Sequence, residues 1–297
     1  MDKLTAMRTF VTVVRLGSFS AAAASMGAPK TRMSQRVREL EAALSTRLLH
    51  RTTRMISLTE DGRVYYEKCL HILDEIDSTE RALGRLGDEP QGRLRVSCMS
   101  LIARQVLLPR IDDFLARYPE ISLNLSVTDR IVNLVEDGCD CAIRGGKLEN
   151  SALISRHIRT VGFGLYAAPR WVGANRAVHA PSDLQGLDLI KIASQRDGTI
   201  RHWELVRQDD KAGQDSRARL EIDDDQAAID AALSGAGIVL CPDFIAAPYA
   251  AAGRLVRVLP EWSAPAKPIY AIYPSRQHLS AKLRCFLDWA DRIIREA

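Results

Sequence analysis

No apolar stretch in the 297 residues reaches the length of a membrane-spanning helix, and the start, MDKLTAMRTF, has neither the basic lead nor the small-residue cleavage site of a secretory signal. A chain with those omissions is expected to work in the cytoplasm, without membrane partners. Six cysteines, Cys69, Cys98, Cys139, Cys141, Cys241 and Cys285, are scattered, with none from 142 to 240, which argues against a disulfide framework and a spaced redox pair. Cys139 and Cys141 alternate on what reads as a buried strand with no histidine nearby, so apolar filling is favoured over metal binding. His50, His71, His157, His179, His202 and His278 are too far apart for a metal-binding helix or a nucleophile relay. Gly162-Phe163-Gly164 and Gly235-Ala236-Gly237 lack the further glycine and lysine of a nucleotide loop and read as strand ends and turns. These absences argue against an enzyme. No metal or cofactor is expected.

What the chain does have is concentrated near its start. Ser18 to Val37, SFSAAAASMGAPKTRMSQRV, reads as a thin small-residue helix, a turn, and a second helix with basic and polar groups on one side. Ser18 suits an N-cap, Gly27 a left-handed terminator, and Pro29 the first turn of the second helix. Met33, Val37 and Leu40 recur at helical spacing and should face inward. Lys30, Thr31, Arg32, Ser34, Gln35 and Arg36 then fall mainly on the outer surface, as groups that enter a major groove would. A plain alanine-rich hairpin with a solvated basic side gives the same pattern, so the following segment matters.

Leu48 to Gly62, LLHRTTRMISLTEDG, carries Arg51, Thr52, Thr53 and Arg54 and then alternating Ile56 and Leu58, which suits a two-stranded wing lying on phosphates. Residues 1–58 hold ten Lys or Arg against three acidic residues, a net +7, and the whole chain is +4. The remainder is therefore acidic by three. A basic head on a mildly acidic body is the footprint of a protein that holds DNA at one end.

These motifs, FVTVV, GSFSAAA, MSQRVRELE and LLHRTTR-x-x-SLTEDG, resemble those of LysR-type transcriptional regulators. A looser resemblance runs over essentially the full chain through GRLRVS, FLARYPEISLNLSV, DCAIRGG, GAGIVLCPDF and the AAGRLV that follows. Pro29 and Arg32 depart from the small or polar residues often found there in the family, which leaves the docking mode but changes the expected base preference.

From Thr59 to about Asp88 the spacing predicts one long helix. Tyr65, Cys69, Ile72, Ile76, Thr79, Leu83 and Leu86 step by alternating fours and threes, the seam of a coiled coil. Tyr65, Cys69, Ile72, Ile76, Leu83 and Leu86 are accordingly candidate dimerisation residues. A helix packed on its own domain would show a similar stripe, but the charged remaining faces favour a partner helix. Dimers would place two reading helices on a two-fold axis, matching a palindromic operator.

Beyond Gly92 short apolar strands alternate with amphipathic segments. Strands are expected at 94–97, 123–127, 139–143, 163–168, 187–192, 220–222, 237–241 and 269–273, and helices at 102–118, 131–137, 226–233 and 280–296. That alternation argues for a parallel α/β sheet. The resemblance implies that the last helix returns to the first lobe, and two lobes crossed near 161–163 and 266–268 would resemble a periplasmic binding protein. The expected architecture is α+β and multidomain: a winged helix-turn-helix over 1–59, a linker and dimerisation helix over 60–90, and an effector-binding domain over 91–297. Lobe I of that domain would take about 91–161 and 268–297, and lobe II about 162–267.

Ligands of open α/β sheets settle beyond the carboxyl ends of the strands. That rule selects Cys98, Met99, Ser100, Thr128 and Arg144 from the first lobe, with Ser194, Asp224, Pro242 and Phe244 from the second. Ser100, Thr128 and Arg144 could converge on a polar head group while Met99 and Phe244 close on an apolar body. For each the plain alternative stands: an Arg144 paired with a surface carboxylate and a Ser100 that only caps a helix. The expected partners are double-stranded DNA, a small-molecule effector, further copies of the chain as dimer or tetramer, and RNA polymerase. A ligand-independent DNA organiser and a small-molecule carrier are the competing readings.

Overall fold

A computed structural model of the chain describes residues 2–51, 56–83, 89–130, 133–134, 136–146, 153–195, 198–214, 218–274 and 279–297. The chain forms two compact units, Met1–Glu89 and Pro90–Ala297.

The first unit begins with α1 (Lys3–Leu16), whose N-cap Asp2 accepts from the Thr5 amide at 3.2 Å, and Gly17 ends it in the left-handed region at φ 62°. The Ser18 hydroxyl caps α2 (Phe19–Ser25) by accepting from the Ala21 amide at 3.3 Å. Ala22 and Ala23 are buried, which lets α3 (Lys30–Ala43) pack close. Pro29 lies one residue earlier than expected, as N-cap; its carbonyl accepts from the Arg32 and Met33 amides at 3.0 and 3.2 Å. Met33, Val37 and Leu40 are wholly buried, as their spacing predicts.

A two-stranded wing follows, β1 (Leu49–Arg51) antiparallel to β2 (Ile56–Leu58), with His50 opposite Ser57. The Glu41 carboxylate accepts from the Leu48 and Leu49 amides at 3.0 and 3.2 Å and ties α3 to the wing. Thr59 starts α4 (Glu60–Leu83): its hydroxyl donates to the Arg47 carbonyl at 2.7 Å and accepts from the Gly62 amide at 2.8 Å. Phe10 stacks against Tyr65 and Tyr66 at centroid distances of 5.8 and 6.2 Å, and Arg8 pairs with Asp77.

The second unit is built on one curled sheet, nine-stranded among the described residues. Its strands are β3 (Gly92–Cys98), β4 (Ile121–Val127), β5 (Cys141–Gly145), β6 (Ile154–Ala167), β7 (Leu189–Ile192), β10 (Leu220–Ile222), β11 (Ile238–Pro242), β12 (Val256–Val258) and β13 (Ala264–Tyr273). A two-stranded hairpin, β8 (Trp203–Arg207) and β9 (Asp210–Gln214), joins the sheet through Val206, whose amide and carbonyl bond to Ser263 just before β13. The order β10-β7-β11-β6-β13-β5-β3-β4 puts β6 and β13 in the middle. Each serves both lobes: Ile269–Ile272 of β13 pair with β5, whereas Phe163–Tyr166 of β6 pair with β11. The chain crosses where Val161 faces Lys267 and Thr160 faces Pro268, and β13 shifts register between Ala264 and Lys267. Because these long strands run antiparallel, the sheet is mixed; parallel pairing is confined to β4-β3-β5 in one lobe and β11-β7-β10 in the other.

Helices cover the sheet. The chain after β3 turns through α5 (Ser100–Ile102), a π-helical turn over Ala103–Leu107 and a 3₁₀ turn over Leu108–Arg110 into α6 (Ile111–Arg117). Lobe II carries α7 (Pro169–Ala174), α8 (Asp225–Leu233) and α9 (Asp243–Ala251). The terminal α10 (Ala281–Glu296) buries Leu283, Phe286, Leu287, Ala290 and Ile294 and returns to lobe I, with Phe114 edge-on to Phe286 at 5.6 Å.

Three expectations are corrected. Among the described residues of 131–137 there is no helix: Asp137 and Cys139 amides bond back to Asn133 and Leu134 carbonyls, and Gly138 at φ 62° ends that one turn. Cys139 lies before β5, not on it. Pro242, expected beyond the strand over 237–241, is instead the last residue of β11, and Phe244 lies in the first turn of α9.

Candidate functional sites

The outer flank of α3 is the first site. Lys30, Thr31, Arg32 and Gln35 are exposed, and Ser34 and Arg36 are half-buried, while Met33, Val37 and Leu40 hold the opposite side in the core. Gln35 donates to Glu39 at 3.0 Å one turn away. Arg36 lies near Asp2, whose carboxyl is held below its usual range chiefly by the Thr5 hydroxyl and also by that guanidinium. Arg51 ends β1; Thr52, Thr53 and Arg54 lie outside the described residues.

The apolar stripe of α4 divides. Cys69 is wholly buried and Tyr65 half-buried against the same unit's core, and burial pushes the Cys69 thiol up to about 11. As a dimerisation residue Cys69 is therefore corrected: it serves the packing of α4 within its own unit, and Tyr65 packs there in part. Ile72 is 43% exposed, Val64 55%, and Ile76 is half-buried, so an unfilled apolar side does remain on α4. Leu86 lies outside the described residues, as does the side chain of Leu83.

The second site is the cleft between the lobes. Ser100 opens α5 on lobe I, with its amide donating to the Asp129 carboxylate at 3.1 Å and its hydroxyl to Asp224 at 3.4 Å. Asp224 belongs to lobe II, where it caps α8 by accepting from the Ala227 amide at 2.7 Å. One turn along, Gln105 on the π-helical turn donates to Gln226 of α8 at 2.6 Å and approaches the Tyr249 hydroxyl of α9 at 3.4 Å. A π-helical turn costs regular hydrogen bonding and is often found at working sites; here it carries one side of an interlobe bridge.

Charge in the cleft is mixed. Burial, with Asp225 and Asp224 nearby, pushes the Asp129 carboxyl above its usual range. Arg201 pairs with Asp225 at 3.0 Å. Lys267 sits over the Phe163 ring at 5.2 Å, and burial followed by the Arg201 charge lowers its pKa. None of Gln105, Gln226, Arg201 and Lys267 has a motif around it; the Gln105–Gln226 bond and the effect of the Arg201 charge on Lys267 appear only in three dimensions.

The other expected cleft residues are distributed unevenly. Cys98 is wholly inside lobe I, its thiol pushed up to about 12 by burial, so it is corrected to a core residue. Arg144 donates to the Ser97 hydroxyl at 2.7 Å and the Ile143 carbonyl at 2.9 Å, and its charge acts on Asp129, the carboxylate that accepts from the Ser100 amide. Thr128 accepts from the Arg130 amide at 3.3 Å, and Met99 packs over Gly145. Ser194 closes a turn with Gly198 and Thr199 at 2.8 Å each. Pro242 is buried, and Phe244 lies under the Arg159 guanidinium at 5.1 Å.

Residues 4–63 match the model of a bacterial regulatory helix-turn-helix protein of the lysR family, and residues 87–293 match the LysR substrate binding domain. The HTH-type transcriptional repressor PA14_22550 of Pseudomonas aeruginosa is 45% identical over 296 residues, all of this chain and 93% of that protein. Among solved structures, CrgA, a LysR-type transcriptional regulator from Neisseria meningitidis, has 30% identity and a TM-score of 0.63 with 97% of both chains covered. Full-length AphB, a Vibrio cholerae virulence activator of the LTTR family, has 27% identity and a TM-score of 0.59, covering 97% of this chain and 98% of its own.

Proposed function

This chain belongs to the LysR family of transcriptional regulators, and from that premise we propose that it reads its operator with Lys30, Thr31, Arg32, Ser34, Gln35 and Arg36 of α3. It is a DNA-binding regulator with an effector-binding domain and not an enzyme. The observation that carries the reading is the amphipathic split of α3: Met33, Val37 and Leu40 anchor it while its cationic and amide side chains point outward. Ser18 fixes the angle at which α2 supports it, and Arg51 to Arg54 extend the contact along phosphates.

The remaining assignments complete the same proposal. Residues 1–59 form the DNA-binding domain, 60–90 the linker, and 91–297 the effector domain. Dimers form through the Val64, Ile72 and Ile76 side of α4 together with Leu83 and Leu86, and the operator is palindromic to match. The effector enters between Ser100, Thr128 and Met99 on one lobe and Asp224, Ser194 and Phe244 on the other. By altering the Ser100–Asp224 and Gln105–Gln226 bridges it shifts the balance between two lobe arrangements. The regulator acts in the cytoplasm on RNA polymerase at the same promoter. Footprinting on the upstream intergenic region tests this: a discrete two-fold footprint is expected, lost with Gln35→Ala. Continuous coverage would instead favour a DNA organiser, and no protection would favour a carrier.

A further inference from the structure

We infer that a recess beside the reading flank of α3 seats a phosphate of the DNA backbone between Arg38 and Arg47, an inference that rests on the DNA-reading role of α3. The recess measures about 360 Å³ and is lined by Arg38, Glu41, Ala42, Ser45, Thr46 and Arg47. Arg38 follows Gln35 by one helical turn, so it continues the reading flank toward the end of α3. Arg47 lines the same recess from the connection that leads into the wing. Both side chains are exposed.

Three features make this place suited to an anion from outside. First, among the described residues neither Arg38 nor Arg47 has an ion-pair partner, whereas Arg8, Arg201 and Arg219 are paired with Asp77, Asp225 and Asp188. Second, the carboxylate in the wall is turned elsewhere: Glu41 accepts from the Leu48 and Leu49 amides. Third, the end of α3 would ordinarily repel an anion through its open carbonyls, but those of Glu41 and Ala42 are already bonded by the Thr46 and Ser45 amides at 3.1 Å each. Two arginines lining one opening offer guanidinium groups suited to the oxygens of a phosphodiester, and a duplex docked on α3 supplies such groups on either side of the groove. The contact carries no sequence information. It would set register and add to affinity on any duplex.

The test uses the full-length protein and two labelled duplexes of equal length, one from its own upstream intergenic region and one of random sequence, titrated across a sodium chloride series. Arg38→Ala and Arg47→Ala should each weaken both duplexes by the same factor. Each should also make the slope of log affinity against log salt shallower by about 0.9 per lost contact, or about 1.8 for a dimer. Arg38→Lys and Arg47→Lys should keep the slope, because counterion release follows charge. If wild type binds and both alanine variants keep its slope, or lose affinity only on the upstream duplex, the recess is not a phosphate seat. Failure of wild type to bind either duplex in dilute buffer would instead remove the DNA-reading premise itself.

Discussion

Gly62 lies so close to Leu48 that a Cβ at position 62 would stand 1.9 Å from the Leu48 carbonyl oxygen. That approach lets the first turn of α4 rest on the strand that enters the wing, and the Thr59 hydroxyl bridges the same two segments. The oxygen is backbone, fixed by its own bond from the Thr59 amide at 3.0 Å, so it has little room to give. Gly62→Ala should therefore destabilise the protein by about 3 kcal/mol or more, above the usual cost of overpacking at a yielding site. Thermal unfolding measures it. An unchanged melting temperature would contradict the close contact.

Ser45 presents the opposite case. It ends α3 at φ 52°, in the left-handed region that a side chain disfavours. The Ser45 and Thr46 amides complete the Schellman pattern expected there, with Ala42 and Glu41 as acceptors. Glycine removes the strain at the cost of a freer unfolded chain, so Ser45→Gly should raise stability by about 0.5–1 kcal/mol. Urea unfolding midpoints compare the two. A lower midpoint for the glycine variant would mean the hydroxyl outweighs the backbone.

The DNA-binding unit was legible because its signals are local. Ser18, Gly27, the 33-37-40 spacing and Thr59 with Gly62 each act within a few residues. Longer-range features were legible only in part. The outer half of β6, Ile154 to Thr160, carries Ser155, Arg156, His157, Arg159 and Thr160 and does not read as a strand, although it pairs along its length with β13. The β8–β9 hairpin turns at Gln208 with φ 52°, and that two-residue turn, Gln208-Asp209, has no glycine to mark it. In the cleft, Ser100 and Asp224 could each be picked as loop residues, but their bond joins positions 124 apart. Arg144 reads from the sequence as a strand-end residue, and only three-dimensional packing shows its guanidinium bonded to the Ser97 hydroxyl.

The Gln105–Gln226 bridge gives a third expectation. Gln226 is 8% exposed and also donates to Asp230 at 3.0 Å, so loss of the Gln105 amide strands a buried carbonyl oxygen. Gln105→Ala should cost about 1–3 kcal/mol and increase hydrogen exchange in the first turn of α8. Exchange confined to lobe I would show that the bridge does not hold the lobes together.

Asp129 ties the cleft to pH. Its folded pKa is raised, chiefly by burial and then by Asp225 and Asp224, with the Ser100 amide and Arg201 acting against the shift. A carboxyl with a raised folded pKa binds its proton more tightly when folded. Its contribution is therefore present in full below the ordinary aspartate range and is lost as pH rises through the folded value. Asp129→Asn keeps an oxygen for the Ser100 amide at 3.1 Å and removes the charge that faces Asp224 and Asp225. The variant should melt at a higher temperature than wild type at neutral pH, and the gap should close on acidification toward the ordinary aspartate pKa. The same relief should draw the lobes together, visible as a smaller radius of gyration for Pro90–Ala297 within the full chain by contrast-matched scattering. A gap that widens on acidification would reverse the sign and show that Asp129 is stabilised, not strained, by its neighbours.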